Sequence, residues 1–203
     1  MQHVKWLGIA VLAAVVTMAL VGAPSASAAQ TVLCKVEEAP CAPANRWEMR
    51  PFEAKAEPLK LLLGALGEVV CKSSTVKGEL GEFGAPQKVT LSSLVFAECK
   101  LGTSACAFNV LSLGKLDLLR TNLNSGEATF LGTEVLVQCG SFIHCVYGGE
   151  PKLALAGKNG AEAAKLTANQ VVLPVVSGFL CPTETKLDAT YTILIPLPAY
   201  VEA

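Results

Sequence analysis

The chain has 203 residues, of which 52% are hydrophobic and only 16% are charged. This composition is too apolar for a disordered segment and shows no collagen-like or coiled-coil bias. The net charge is −1, so no basic field that could hold nucleic acid is present. The length fits one domain of ordinary size.

The start of the chain has the three parts of a secretory signal peptide. Residues 1–5 are a short positive segment, residues 6–21 are a nearly uninterrupted apolar run, and an A-x-A cleavage site ends at Ala28. We therefore predict a signal peptide at 1–28 and a mature, secreted β-rich domain at 29–203. The alternative is a retained membrane anchor, for which the apolar run is slightly short.

We predict no transmembrane span in the mature chain. The apolar stretches at 59–66 and 171–176 are short, and Lys60 and Pro174 interrupt them. The expected location is therefore extracellular or at the cell surface.

Short runs rich in β-branched residues recur along the mature chain. Gly, Pro, Asn or Ser separates them, which is the pattern of a β-sandwich or barrel. The predicted strands are 31–36, 52–56, 68–73, 88–99, 106–111, 115–119, 129–139, 144–147, 152–156, 170–176 and 189–195.

Alternation and turn residues agree with a sheet that has one buried side. The alternation predicts that Val135, Val137 and Cys139 share one face of a strand. Residues 124–126, with the sequence Asn-Ser-Gly, predict a hairpin connection.

Helix signals are few. Residues 161–166 predict one or two helical turns, and residues 59–66 are compatible with either a short helix or a strand. The predicted fold class is all-β, as a single antiparallel β-sandwich or barrel-like domain stapled by disulfides.

All eight cysteines lie in the predicted mature part. An even number of cysteines in an exported chain indicates disulfides. Three pairs are close in sequence and could each close a short loop between neighbouring strands, which leaves two cysteines to join distant parts. The predicted bridges are Cys34 with Cys41, Cys99 with Cys106, Cys139 with Cys145, and Cys71 with Cys181.

His144 is the single histidine of the mature chain. Structural zinc sites use C-x2-C spacings with histidine, whereas the cysteine gaps here are longer, so we predict no metal site. A catalytic triad would have to combine His144 with Asp117 or Asp188, and no nucleophile elbow accompanies them. We interpret His144 as a loop or strand residue.

Carboxylate catalysis has little support in the sequence. The pairs Glu37 with Glu38 and Glu79 with Glu82 could serve a glycoside hydrolase, which needs two carboxyl groups across a sugar. Glu pairs on loops are usually solvated. No Gly-rich phosphate loop and no Asp-rich calcium loop is visible. We therefore predict no catalytic residues and no cofactor.

Aromatic side chains are the candidates for binding sugars or flat apolar molecules. The mature chain has one tryptophan, Trp47, and three tyrosines, Tyr147, Tyr191 and Tyr200. Trp47 lies beside Arg46 and could form a recognition patch, but we interpret it as a core or loop anchor.

Five short segments carry a resemblance to known proteins. They are 70–74 (VCKSS), 94–99 (LVFAEC), 145–148 (CVYG), 178–182 (GFLCP) and 188–192 (DATYT). The chain resembles a group of uncharacterised secreted bacterial proteins that occur as many paralogues in high-GC Gram-positive genomes. The closing segment alone is similar to the bacterial secreted proteins named protein activator of alkane oxidation. The resemblance implies export and a β-rich domain, and it brings no established activity.

Three hypotheses for function follow. The first is a secreted, non-enzymatic envelope or extracellular-matrix protein that acts through protein or glycan contacts. The second is a binding module for a small apolar, hydrocarbon-like molecule held between sheets, which requires an enclosed apolar pocket. The third is the carboxylate-based glycoside hydrolase. The low charge content also indicates that a partner covers some apolar surface.

Overall fold

The structure is a computed structural model that describes residues 32–202. The predicted signal peptide at 1–28 lies outside the described residues. Short 3-10 turns occupy Pro43–Asn45 and Gly64–Leu66. The strands are β1 (Val32–Cys34), β2 (Pro51–Leu62), β3 (Glu68–Cys71), β4 (Ser73–Leu80), β5 (Gln87–Ala97), β6 (Cys99–Leu101), β7 (Ser104–Ser112), β8 (Lys115–Asn122), β9 (Ser125–Leu131), β10 (Glu134–Cys139), β11 (Ile143–Tyr147), β12 (Lys152–Ala156), β13 (Lys165–Phe179), β14 (Glu184–Ile195) and β15 (Tyr200–Glu202).

The antiparallel pairings among these strands close on themselves twice. A first ring runs β2, β14, β13, β12, β9, β8, β5 and β4, and β4 pairs with β2 again. A second ring runs β2, β14, β13, β11, β10, β7, β6 and β3, and β3 pairs with β2. The two rings therefore share the three strands β2, β13 and β14.

The shared strands are long because each serves both rings. In β2, residues 51–56 pair with β4 and residues 59–62 pair with β3. In β13, residues 165–167 pair with β12 and residues 175–179 lie in the segment that pairs with β11. One strand thus contributes its first part to one ring and its second part to the other.

A change in alternation lets a shared strand bury side chains in both rings. In β2 the buried residues are Phe52, Ala54 and Ala56 in the first part, but Leu59 and Leu61 in the second. The buried positions change from even to odd numbers at the register shift of β2 against β14, where β2 has one extra residue between Ala56 and Leu59. Both parts of the strand therefore bury apolar side chains, and all five belong to one continuous core.

The small β1–β15 sheet is tied to the first ring through Gln87, whose side chain is fully buried. The backbone N–H of Leu33 donates to Gln87 Oε1 at 3.0 Å, and Gln87 Nε2 donates to the carbonyl of Trp47 at 2.8 Å. Trp47 Nε1 in turn donates to the carbonyl of Pro198 at 2.7 Å. These bonds satisfy backbone groups that would otherwise be buried without partners.

The all-β prediction is confirmed, but the helical turns predicted at 161–166 are wrong. Asn159 and Glu162 exchange two backbone hydrogen bonds in a turn, and β13 begins at Lys165. Ala164 lies between them and is fully buried in the core. The small side chain of Ala164 thus serves close packing, whereas Ala161 is exposed.

Two other segments differ in detail from their predictions. The run 129–139 is two strands, because Gly132 adopts a left-handed φ of 71° between β9 and β10. The segment 59–66 combines both alternatives: it stays in β2 up to Leu62 and then forms a single 3-10 turn. The hairpin predicted at 124–126 connects β8 and β9.

The cysteines all form disulfides, but three of the four predicted pairings are wrong. The bridge between Cys34 and Cys41 is the pair that the sequence spacing also selects. The predicted pairs Cys99 with Cys106, Cys139 with Cys145, and Cys71 with Cys181 are replaced by Cys71–Cys99, Cys106–Cys139 and Cys145–Cys181.

The pairing follows from a row of cysteines across β3, β6, β7 and β10. Cys99 lies opposite Cys106, and Cys106 lies opposite Cys139. In an antiparallel sheet a residue forms a narrow pair with one neighbouring strand and a wide pair with the other. The Cα atoms are 3.8 Å apart in Cys71–Cys99 and 4.2 Å apart in Cys106–Cys139, so the bridges occupy the narrow pairs. Cys99 and Cys106 lie opposite each other in the β6–β7 hairpin. Because each already forms a narrow pair with its other neighbour, they form the wide pair and are not bridged.

The fourth bridge depends on a glycine in β13. Gly178 lies opposite Cys145 and has a φ of 138°. A Cβ at this position would lie 2.4 Å from the carbonyl oxygen of His144 and 2.5 Å from Cys181 Sγ. Only glycine therefore lets β13 approach β11 closely enough for Cys181 to reach Cys145. Cys139 is on the far strand of the β10–β11 hairpin, two positions out of register with Cys145.

Peptide mapping without reduction separates the observed pairing from the rejected one. Trypsin releases the peptides 61–72, 89–100, 101–115, 121–152 and 166–186, which carry the six cysteines from Cys71 onward. We expect 61–72 to be linked to 89–100, and a three-peptide species to join 101–115, 121–152 and 166–186. Mass spectrometry of the non-reduced digest identifies these species, and a digest after reduction is the control.

The opposite result has a distinct signature. The short-loop pairing would link 89–100 to 101–115 and would release 121–152 alone with an internal bridge. Finding these two species would contradict the cysteine row described above.

Candidate functional site

A cavity of about 80 Å³ is lined by residues from both rings. Three of the shared-strand leucines that line it are Leu61 from β2, Leu173 from β13 and Leu187 from β14. The cavity therefore lies beside the segment of the sheet that both rings have in common. This volume is several times the roughly 10–15 Å³ that one water molecule needs.

Aromatic side chains form much of the remaining wall. Phe96 on β5 and Phe130 on β9 come from the first ring, whereas Phe108 on β7 comes from the second. The rings of Phe96 and Phe108 pack with their centroids 4.8 Å apart. Both side chains are half-buried, and β5 and β7 share no ladder among the described strands. The wall between these strands is therefore made by side chains rather than by backbone hydrogen bonds.

The second ring positions its part of the wall by strand register. Val135 and Val137 on β10 both line the cavity, on the shared face that their alternation predicts. Tyr147 on β11 lies directly opposite Val135, so its side chain stands on the same face of the sheet. Cys145, two residues before Tyr147, holds β11 through its disulfide to Cys181.

Three lining side chains carry a polar atom, and two of these atoms are satisfied within the protein. Thr133 Oγ1 donates to the carbonyl of Leu113 at 2.7 Å. The hydroxyl of Tyr191 donates to Ser74 Oγ at 3.0 Å. The hydroxyl of Tyr147 is buried and has no hydrogen-bond partner among the described residues. The wall is therefore apolar apart from one available hydroxyl.

Burial raises the pKa of both tyrosines above the ordinary value of about 10. Desolvation raises the pKa of Tyr191 to about 12, although its hydrogen bond to Ser74 opposes this. Desolvation also raises the pKa of Tyr147. At neutral pH the cavity wall therefore holds no tyrosinate charge.

The tyrosines considered from sequence divide between two places. Tyr147 and Tyr191 line the cavity, whereas Tyr200 packs beside the Cys34–Cys41 bridge. Trp47 is a structural anchor, as interpreted from sequence: it packs against the core and bonds the carbonyl of Pro198.

The candidate triad residues have other partners. The ring of His144 is exposed on β11, and its Nδ1 lies 3.1 Å from Nε2 of Gln138. A side-chain oxygen of Asp188 accepts a hydrogen bond from the backbone N–H of Gln170. Asp117 belongs to β8, a strand of the first ring only. His144 therefore forms a hydrogen bond with neither Asp117 nor Asp188.

The candidate carboxylate pairs lie on the surface. Glu37, Glu38, Glu79 and Glu82 are all exposed, and none lines the cavity. Within residues 32–202, no group of three or more His, Cys, Asp or Glu side chains could hold a metal ion. The same part of the chain has no helix that is long and apolar enough to span a membrane.

The phenylalanines of the cavity were missed from the sequence. The signal was present, since Phe96, Phe108 and Phe130 each sit within an apolar run that predicts a strand or its edge. Strand periodicity places a side chain on one face or the other, but it does not reveal which faces from distant strands meet. That information requires the pairing that closes the second ring.

Comparison with known proteins finds no match: no protein-family model, no curated protein and no solved structure matches the chain. The family resemblance inferred from sequence therefore stays a prediction. The apolar cavity is the feature of the structure that bears most directly on function.

Proposed function

We propose that the protein is an extracellular binding module for a small apolar molecule, which occupies the cavity between the two rings. The observation that carries this proposal is the cavity itself, in which ten of the fifteen lining residues are Leu, Val or Phe. Four disulfides suit an oxidising compartment outside the cytoplasm.

The cavity supports binding because apolar atoms inside it gain contacts that the wall otherwise lacks. Wall atoms that face unfilled space lack the dispersion partners that close packing provides. A ligand that fills it recovers dispersion contacts and leaves water at the same time. The volume suits a single ring or a short chain rather than a drug-sized molecule.

The disulfides support binding by keeping the wall in place before the ligand arrives. Cys106 and Cys139 join β7 to β10, the strands that carry Phe108 and Val137. The fourth bridge holds β11, which carries Tyr147. A wall that is already ordered loses less conformational entropy on binding, which raises affinity.

A second candidate is a secreted, non-enzymatic envelope or matrix protein that acts through surface contacts. The observation that favours it is an apolar end of the second ring. Phe142, Phe179 and Leu180 are 76%, 73% and 64% exposed, and the register of β11 with β13 places them near one another. Exposed apolar groups of this kind mark contact sites for proteins or glycans.

Filling the cavity tests the binding proposal. We expect Val135→Phe to weaken the binding of benzene by about tenfold or more, because the added ring occupies the space of the ligand. Leu136→Phe is the matched control, since Leu136 is the next residue of β10 and lies on the opposite face. Titration of benzene followed by NMR methyl shifts measures the affinity.

The binding proposal fails if saturating benzene shifts no methyl signals of the cavity leucines and valines in the unmodified protein. It also fails if both phenylalanine variants bind benzene as well as the unmodified protein does.

The surface candidate predicts binding to an insoluble envelope polymer. We expect the mature protein to co-sediment with purified peptidoglycan sacculi, and the double variant Phe142→Ser with Phe179→Ser to lose most of this binding. The matched control is Val95→Ser with Leu111→Ser, which removes exposed apolar side chains elsewhere. Equal sedimentation of both double variants, or none of the unmodified protein, would argue against this candidate.

A further inference from the structure

Among the side chains of the described cavity wall, the hydroxyl of Tyr147 is the one polar group without a hydrogen-bond partner in the protein. Tyr147 is 2% exposed, and its hydroxyl has no hydrogen-bond partner within residues 32–202. The other two side-chain hydroxyls of the wall, on Thr133 and Tyr191, already donate to protein oxygens.

A buried hydroxyl without a hydrogen-bond partner lowers the stability of the folded protein. A buried hydroxyl without a partner costs about 1–3 kcal/mol relative to a satisfied one. Phenylalanine would fill the same volume and continue the apolar wall formed by Phe96, Phe108 and Phe130. Because the position carries tyrosine, the cavity offers one hydrogen-bond donor in otherwise apolar surroundings.

The location of this donor matches that of a ligand. Tyr147 stands opposite Val135 on the inner face, and the next residue, Gly148, also lines the cavity. The disulfide that begins at Cys145 fixes the strand on which the tyrosine stands. Tyr147 thus stands on an ordered strand of the wall rather than on a loop.

The charge of the ligand is limited by the lining. No Lys, Arg or His side chain lines the cavity, so a carboxylate or phosphate would be buried without a counter-ion. No Asp or Glu lines it either, so a cation would be equally unfavourable. The ligand that fits is therefore neutral.

We propose that the ligand is a small neutral molecule with an apolar ring or chain and one oxygen, such as a ketone or an alcohol, and that the Tyr147 hydroxyl donates a hydrogen bond to this oxygen. The inference rests on the proposed binding function and adds the class of ligand. Apolar contacts supply most of the affinity, and the single hydrogen bond distinguishes oxygenated molecules from plain hydrocarbons.

Two probes of nearly the same shape test the inference. Cyclohexanone carries a carbonyl oxygen where methylenecyclohexane carries a CH₂ group. We expect the unmodified protein to bind cyclohexanone about three- to tenfold more tightly, as one net hydrogen bond provides. The variant Tyr147→Phe should lose this preference and keep its affinity for methylenecyclohexane.

The control is Tyr200→Phe, which removes a hydroxyl outside the cavity and should keep the preference. NMR titration of each probe gives the affinities, and thermal unfolding of each variant reports whether it is folded. Should Tyr147→Phe fail to fold, the ratio of the two affinities in the unmodified protein still decides the matter.

The outcomes separate the two proposals. If neither probe binds the unmodified protein, the binding function itself is wrong. If both probes bind with equal affinity, or if Tyr147→Phe keeps the preference for cyclohexanone, the binding function stands and the role of Tyr147 is overturned.

Discussion

Three long strands, β2, β13 and β14, hold the molecule together because each belongs to two closed rings. Two ladders, β13 with β14 and β14 with β2, are part of both rings, so losing either of them would open both rings at once. Both shared ladders change register along their length. The pairing of β13 with β14 shifts between Ala168 and Val171, and the pairing of β14 with β2 shifts between Ala189 and Tyr191. Leu187 and Tyr191, on either side of the second shift, both line the cavity. The cavity thus lies where one ring gives way to the other.

The cysteine row stiffens the second ring, because its two bridges join β3 to β6 and β7 to β10. Only part of this arrangement could be predicted from the sequence. Turn residues and alternation predicted an all-β chain, and the predicted signal peptide with an even number of cysteines predicted disulfides. Cys34 and Cys41 are close enough in sequence for spacing alone to predict their bridge. The other bridges join strands that become neighbours only when the ring closes. Cys71, for example, meets Cys99 because β3 lies beside β6, which no local pattern reveals.

The sequence suggested an apolar pocket with aromatic lining as one hypothesis, but it did not predict which residues line it. Tyr147 and Tyr191 were candidates from sequence because aromatic side chains suit apolar ligands, and both line the wall. Phe96 and Phe108 escaped notice because their contact crosses two strands that share no ladder. Strand β4 was also absent from the prediction, since Lys77, Gly78 and Glu79 weaken its apolar alternation.

A preformed apolar cavity at the junction of the two rings is the central claim, and xenon tests it most directly. Xenon enters apolar cavities without needing a polar group or a chemical reaction. In crystals pressurised with the gas, the account predicts that the strongest anomalous peak lies within contact distance of Leu61, Phe108 and Tyr147. A map in which xenon occupies only surface sites, with continuous side-chain density across the junction, would contradict it.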